Sequence, residues 1–342
     1  MLDYNSTHAR SFQPPFPEVM KSRILLSWAW ICLPAVLETG MTCAQVFPAK
    51  PIRIVTAEPA GGLDLAARLM AQGLAGNLGQ QILVENRGGA GGTIAAQTIA
   101  KAPPDGYALL FYGSAIWLAP FLRDNVPFDP VRDFAPVTLA VSSPNLLVVH
   151  PLLPVKSVRE LIALAKARHG ELNYAANSMG SSPHLAAELF KAMAGISMIA
   201  VSYKGGGHAL NDLIGGQVQL MFATPASVAS LVKVGKLRAL AVTSAQSTPL
   251  LPGMPTVAAT GLPGYKSGAT YIVFAPAGTP ATLISRLQQE FARVLGTREV
   301  KEKFFEVGVE PVGSSPDEAA ALVRSDMDSM GKVIKGAGIR TQ

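Results

Sequence analysis

Two short stretches hold residue types whose spacing suits chemistry on an anion. In AEPAGGLDLAAR, Ala57–Arg68, a run ending in Val55-Thr56 meets a Pro-Ala-Gly-Gly turn and then a helical pattern. The first N–H groups of a helix have no internal partner, and the helix dipole favours negative charge. Such a turn can therefore hold an anion. Glu58 sits inside it, and an ordinary structural turn is the alternative. In ANSMGSSPH, the residues Asn177, Ser178, Gly180, Ser181 and Ser182 precede Pro183 and a second helical run. Their hydroxyls and free N–H groups suit a carboxylate, or form a plain N-cap. In YKGGG, Lys204 adds a cation or the segment only turns the chain.

Other chemistries find less support. PAGGLD lacks the G-x-G-x-x-G spacing of a dinucleotide site, and no Lys-Ser/Thr follows its glycines as a phosphate loop requires. ENRGGAGGT is weak by itself, and its Arg87 reads equally well as a solvated or ion-paired side chain. A Ser182/His184 pair would serve an exported serine hydrolase, but no G-x-S-x-G marks an activated nucleophile. His150, His169, His184 and His208 are scattered without ligand spacing, so neither a metal nor a cofactor is expected.

The elements around these loops alternate. KPIRIVTA reads as a strand, LDLAARLMAQGLAGNLG as a helix stopped by Gly79, QQILVEN as a strand, TIAAQTIA as a short helix and YALLFYG as a third strand. Strand–loop–helix units recur from NLLVVHP to LRALAVTS, with helix VKSVRELIALAKARHG opened by Ser157. ATYIVFAPAGTP follows, then helices near Ala281–Leu295 and Asp317–Ile334, the last opened by Ser315-Pro316-Asp317-Glu318. Alternation of this kind argues for parallel sheets flanked by helices, with ligands at the carboxyl ends of the strands. The reading is two α/β lobes, 45–147 with 266–342 and 148–265, so that the chain crosses between them twice.

With 342 residues, 49% hydrophobic and 15% charged, the chain is globular rather than disordered. Residues 1–44 read as a leader, with a signal core at 20–44. Lys21 and Arg23 precede the apolar run Ile24–Leu37, and Thr42-Cys43-Ala44 is a small-residue cleavage site. Both cysteines, Cys32 and Cys43, lie in this leader, so the exported chain has no disulfide. The net charge of +6 favours anionic partners, but no Lys/Arg cluster interleaved with aromatics points to nucleic acid.

Together these segments resemble the extracytoplasmic solute-binding proteins of tripartite tricarboxylate transporters, the Bug family. PAKPIRIVTAEPAGGLDLAARL, VENRGGAGGTIAAQTIAKAPPDGYALL, YAANSMGSSPHLAAELF, VSYKGGGHALNDLIGGQVQLMF, GKLRALAVTS, LPGMPT, APAGTP and GVEPVGSSPDE carry the likeness, in order, across Phe47–Ile339. The resemblance implies a two-lobed periplasmic-binding-protein type II fold, each lobe a mixed, mostly parallel sheet flanked by helices, that closes on a small carboxylate in a cleft between lobes. It implies a periplasmic location, no enzymatic activity, and delivery to membrane permease subunits or, in some members, to a sensor kinase. Carried over by position, the ligand-binding residues are Glu58, Pro59, Ala60, Gly61 and Gly62 with Asp64, and Asn177, Ser178, Gly180, Ser181 and Ser182; His184, Tyr203 and Lys204 are further candidates beside them. The chain departs from the family pattern at Ala60, where a glycine is usual, and at Glu58. Ala223-Thr224 stand where some members carry an Asp that meets a ligand amino group, and Thr270-Tyr271 lie near the place of a frequent Trp.

Overall fold

The β-branched run Ile52–Thr56 forms β1, with every side chain but that of Arg53 buried. The computed structural model describes residues 47–56, 62–176, 180–203 and 206–340, all within a compact unit that begins at Phe47. The leader and the loop residues Glu58, Pro59, Ala60, Gly61, Asn177, Ser178 and Lys204 lie outside the described residues. After β1 come α1 (Gly62–Leu78), β2 (Ile82–Asn86), a 3-10 turn (Ala90–Gly92), α2 (Thr93–Ala100), β3 (Ala108–Gly113), α3 (Ala119–Leu122) and β4 (Phe134–Ser143). The middle of the chain forms β5 (Leu146–Val149), α4 (Val158–Ala167), β6 (Asn173–Ala176), α5 (Ser182–Ala194), β7 (Ile199–Ser202), α6 (Gly206–Ile214), β8 (Leu220–Ala223), α7 (Pro225–Lys233), β9 (Arg238–Val242) and α8 (Val257–Thr260). It ends with β10 (Ala269–Pro276), α9 (Ala281–Gly296), α10 (Arg298–Glu306), β11 (Glu310–Pro311) and α11 (Pro316–Gly336).

The strands form two sheets, ordered β11-β4-β10-β3-β1-β2 and β7-β6-β8-β5-β9. The chain passes from the first to the second between β4 and β5, and returns between β9 and β10. Alternation alone predicts parallel sheets, whereas these are mixed. β1 runs parallel to β2 and β3, and β6 runs parallel to β7 and β8. β10 lies antiparallel to β3 and β4, and β5 antiparallel to β8 and β9. β5 and β10 are the first strands after each passage from one sheet to the other, and each runs antiparallel to both of its neighbours there.

The core follows from the faces. Ile54, Phe111 and Val273 of the first sheet pack with Met70 of α1, Phe291 of α9 and Phe304 of α10. On its other face, Leu110 and Phe274 join Val323 and Met330 of α11, and the same cluster runs on to Tyr174, Phe190 and Phe222 of the second sheet's layer. Each such side chain contributes about 1.5–3 kcal/mol when fully buried. α11 packs against both β4 and α5, and Trp117 Nε1 donates to Asp326 Oδ2 on it at 2.7 Å. Its start is the capping box expected from the sequence: Glu318 N–H donates to Ser315 Oγ at 3.2 Å, and Ser315 N–H to Glu318 Oε2 at 2.9 Å. Among the described residues, no helix is long and apolar enough to cross a membrane.

Candidate ligand-binding site

α1 opens at Gly62, directly after the loop at the end of β1. Its first turn carries Asp64, and a carboxylate at that position suits the positive end of the helix. Asp64 is only 6% exposed. Its Oδ1 accepts from Asn86 Nδ2 at 2.8 Å, its Oδ2 accepts from Arg68 Nε at 3.1 Å, and Arg68 Nη2 donates to Asn86 Oδ1 at 3.0 Å. This triangle ties the first turn of α1 to the end of β2. The structure thus gives Asp64 an anchoring part at the start of α1. Asp64→Ala is expected to cost about 1–3 kcal/mol, since both hydrogen bonds go with it. Urea unfolding checks this, and an unchanged midpoint would remove the triangle from the loop's support.

The turn after β2 is shaped by glycine. Gly89, Gly91 and Gly92 have φ of 97°, 58° and 91°, and Gly92 serves as the left-handed N-cap of α2. Thr93 Oγ1 accepts from Arg123 Nη1 at 3.0 Å, so a guanidinium from the end of α3 lies against this turn. Arg123 belongs to no motif, and the sequence reading passed over it.

The second loop re-enters the described residues at Gly180, whose φ is 77°. Ser181 is the N-cap of α5 with extended backbone angles, yet its side chain makes no capping bond. Its Oγ is closed off from solvent and has no hydrogen-bond partner among the described residues. Ser182 Oγ accepts from Asn145 Nδ2 at 3.0 Å. Asn145, 1% exposed, lies in the β4–β5 crossing. Its N–H donates to Thr243 Oγ1 at 2.7 Å, and the N–H of Thr243 returns to its carbonyl at 2.9 Å. The two segments that connect the sheets are therefore bonded to each other and to the serine loop. Asn145 and Thr243 also escaped the sequence reading, because nothing local marks them.

His184 is buried, 1% exposed, under this loop. Its Nδ1 accepts the Gly180 N–H at 3.1 Å, and its Nε2 lies 4.0 Å from Glu188 Oε1. Burial holds its imidazole below the ordinary range; the Glu188 carboxylate pulls the other way, and Lys191 adds to the depression. Glu188 in turn accepts from the Tyr174 hydroxyl and from Lys191 Nζ at 2.7 Å. Ser182 and His184 do not form a nucleophile–base couple: the serine bonds Asn145, and the imidazole nitrogens face Gly180 and Glu188. Tyr203 follows β7 at the same end of the second sheet, with its N–H on the Ala176 carbonyl at 2.9 Å. Its hydroxyl donates to Asp212 Oδ2 at 2.8 Å, and burial, then that bond, pushes the phenol up to about 12.

Residues 66–339 match the family described as the tripartite tricarboxylate transporter family receptor. The chain belongs to this family. BugT of Bordetella pertussis is 35% identical over 300 residues, covering 87% of this chain and 92% of the relative. Among solved structures, Rpa4515 of R. palustris with adipate is 38% identical with a TM-score of 0.70, covering 86% of this chain and all of that one. MatC (Rpa3494) from Rhodopseudomonas palustris with bound malate is 30% identical with a TM-score of 0.65, covering 84% of this chain and all of that one. The family assignment and the α/β fold of two helix-flanked mixed sheets expected from the sequence are both established by these matches. This family is one of solute-binding receptors.

Proposed function

We propose that the chain is an exported receptor that captures a small carboxylate between its two lobes and hands it to the membrane subunits of a tripartite transporter. In this reading the lobes are 45–147 with 266–342, and 148–265, the 147/148 boundary falling within β5 (Leu146–Val149). The carrying observation is the start of α5, where the buried Ser181 Oγ, with no hydrogen-bond partner among the described residues, sits beside Ser182 at the N-terminal end of a 13-residue helix. A hydroxyl without a partner in such a place is ready to donate to an anion, and charge-assisted bonds of this kind contribute roughly 1.5–3 kcal/mol each. Relatives at 38% and 30% identity hold adipate and malate, which supports the same ligand class. Glu58–Gly62 form the opposite jaw in this reading, with Asn177, Ser178, Tyr203 and Lys204 completing the second. β8 ends at Ala223 and Thr224 follows as the N-cap of α7; neither side chain is a carboxylate that could meet a ligand ammonium, so acids without an amino group are favoured. The positive net charge helps the approach of such anions. Closure shifts the population toward the form in which both jaws touch the ligand. Export to the periplasm follows from the leader at 1–44.

A thermal-shift panel of adipate, malate, a tricarboxylate, an aromatic acid and several amino acids tests this on the mature chain stripped of endogenous ligand. An acid at 100 times its Kd stabilises by about 2.7 kcal/mol. Adipate or malate is expected to raise Tm and the amino acids to leave it unchanged. A flat response to every acid would sink the carboxylate reading.

A further inference from the structure

Gly180 is the first described residue of the serine loop, and its N–H is held by a side chain instead of by backbone. A histidine nitrogen that accepts a hydrogen bond carries no proton, so the neutral ring bears its proton on Nε2, the atom facing Glu188. We propose that His184 is a positioning residue whose bare Nδ1 fixes the Gly180–Ser182 turn in its ligand-ready shape, and that protonation of Nδ1 unlocks it. Its role in binding rests on the carboxylate reading above; the lock itself does not.

The geometry leaves little alternative use for this ring. At 1% exposure it does not reach solvent, and its two nitrogens face Gly180 and Glu188. Among the described residues, the ionisable groups around it are Glu188 and Lys191 on α5, Tyr174 on β6 and, lining the same surface cavity as Glu188 and Lys191, Lys332 on α11. Glu188, engaged by Tyr174 and Lys191, favours a second proton on the ring, but burial outweighs it and Lys191 opposes it. A second proton on the ring would turn an acceptor into a donor facing the donor N–H of Gly180. Burial depresses the titration of His184. A histidine held neutral in the fold contributes stability that is fully present above its unfolded value of about 6.5 and is lost as pH falls below that toward the folded value. The turn is therefore locked at neutral pH and released on acidification.

Nitrogen-15 NMR of the ligand-free chain reads the lock directly. At pH 7.5 the Nδ1 of His184 is expected to be unprotonated, and the Gly180 amide to shift with the His184 titration as pH falls. A proton on Nδ1, or independent titration of the two signals, would overturn the proposal. Adipate titrations then read its consequence. His184→Asn keeps an acceptor oxygen near the Nδ1 position without a titrating ring, and is expected to bind within about threefold of the native chain at pH 7.5, whereas His184→Leu is expected to bind about tenfold more weakly, one lost hydrogen bond's worth. The ratio of native to His184→Asn Kd should rise as pH falls, which cancels the diacid's own titration. Native affinity in His184→Leu, or a ratio flat with pH, overturns the coupling. Should His184→Leu fail to fold, the ratio and the NMR still decide. If no acid binds at all, the carboxylate reading fails while the NMR arm still judges the lock.

Discussion

Replacing Ser181 and Ser182 together by alanine is expected to weaken adipate or malate binding by about 100-fold, the loss of roughly 3 kcal/mol when two hydroxyls stop serving a carboxylate. The two single variants separate binding from folding. An N-cap serine that bonds its helix costs about 0.5–2 kcal/mol to remove. Ser181 makes no such bond, and its sealed Oγ has no partner among the described residues. Ser181→Ala should therefore leave the urea midpoint almost unmoved while lowering affinity. Ser182 accepts from the buried Asn145 amide, so Ser182→Ala strands a donor and should lower stability by about 1–3 kcal/mol as well as affinity. Calorimetric titration beside urea unfolding reads both. Native affinity in the double variant would take this loop out of the site.

What was legible in the sequence was local. Helix starts that rest on one side chain came out well: Ser157 caps α4 through the Glu160 N–H at 3.2 Å, and the box at Ser315 opens α11. The glycine turn and the serine turn were recognisable because turn chemistry is written in adjacent residues. Elements whose burial is decided by distant partners were not read. β4 buries side chains without alternation and carries Pro136, so it lacks a strand's period-two signature. α10, Arg298–Glu306, is dense in charge and buries only Val300 and Phe304.

The same division runs through the site. Asn145 meets Ser182 across 37 positions, Arg123 meets Thr93 across 30, and Trp117 meets Asp326 across 209. No local pattern encodes such pairs, because the topology that joins them is a property of the whole chain. His184 shows the converse. Its place in SSPHLAAELF put it beside the serines in sequence, and a residue three positions beyond an N-cap reads as a neighbour of the ligand. In the fold the helix turns it under the loop, where its Nδ1 supports the Gly180 N–H.

Gly92→Ala is expected to destabilise the chain by about 2–5 kcal/mol, combining roughly 1–2 for a side chain in the left-handed region with about 1–3 for overpacking. The φ of Gly92 is 91°, and an added Cβ would lie 2.4 Å from Cζ and 2.8 Å from the hydroxyl oxygen of Tyr112. Tyr112 is 7% exposed on β3, so it has little room to withdraw. Such a loss is a large fraction of the roughly 5–15 kcal/mol that holds a domain together. Gly76→Ala supplies the contrast: Gly76 lies exposed inside α1, and its Cβ would meet nothing within 4 Å. Replacing that glycine should stabilise by about 0.5–1 kcal/mol. Urea midpoints of the two variants, measured side by side, should thus move in opposite directions. If Gly92→Ala holds the native midpoint, the turn has another backbone course open to it, and the glycines of ENRGGAGGT are not needed for packing against Tyr112. If it falls as expected, these glycines set the shape of the turn against which Arg123 lies, whatever ligand the cleft takes.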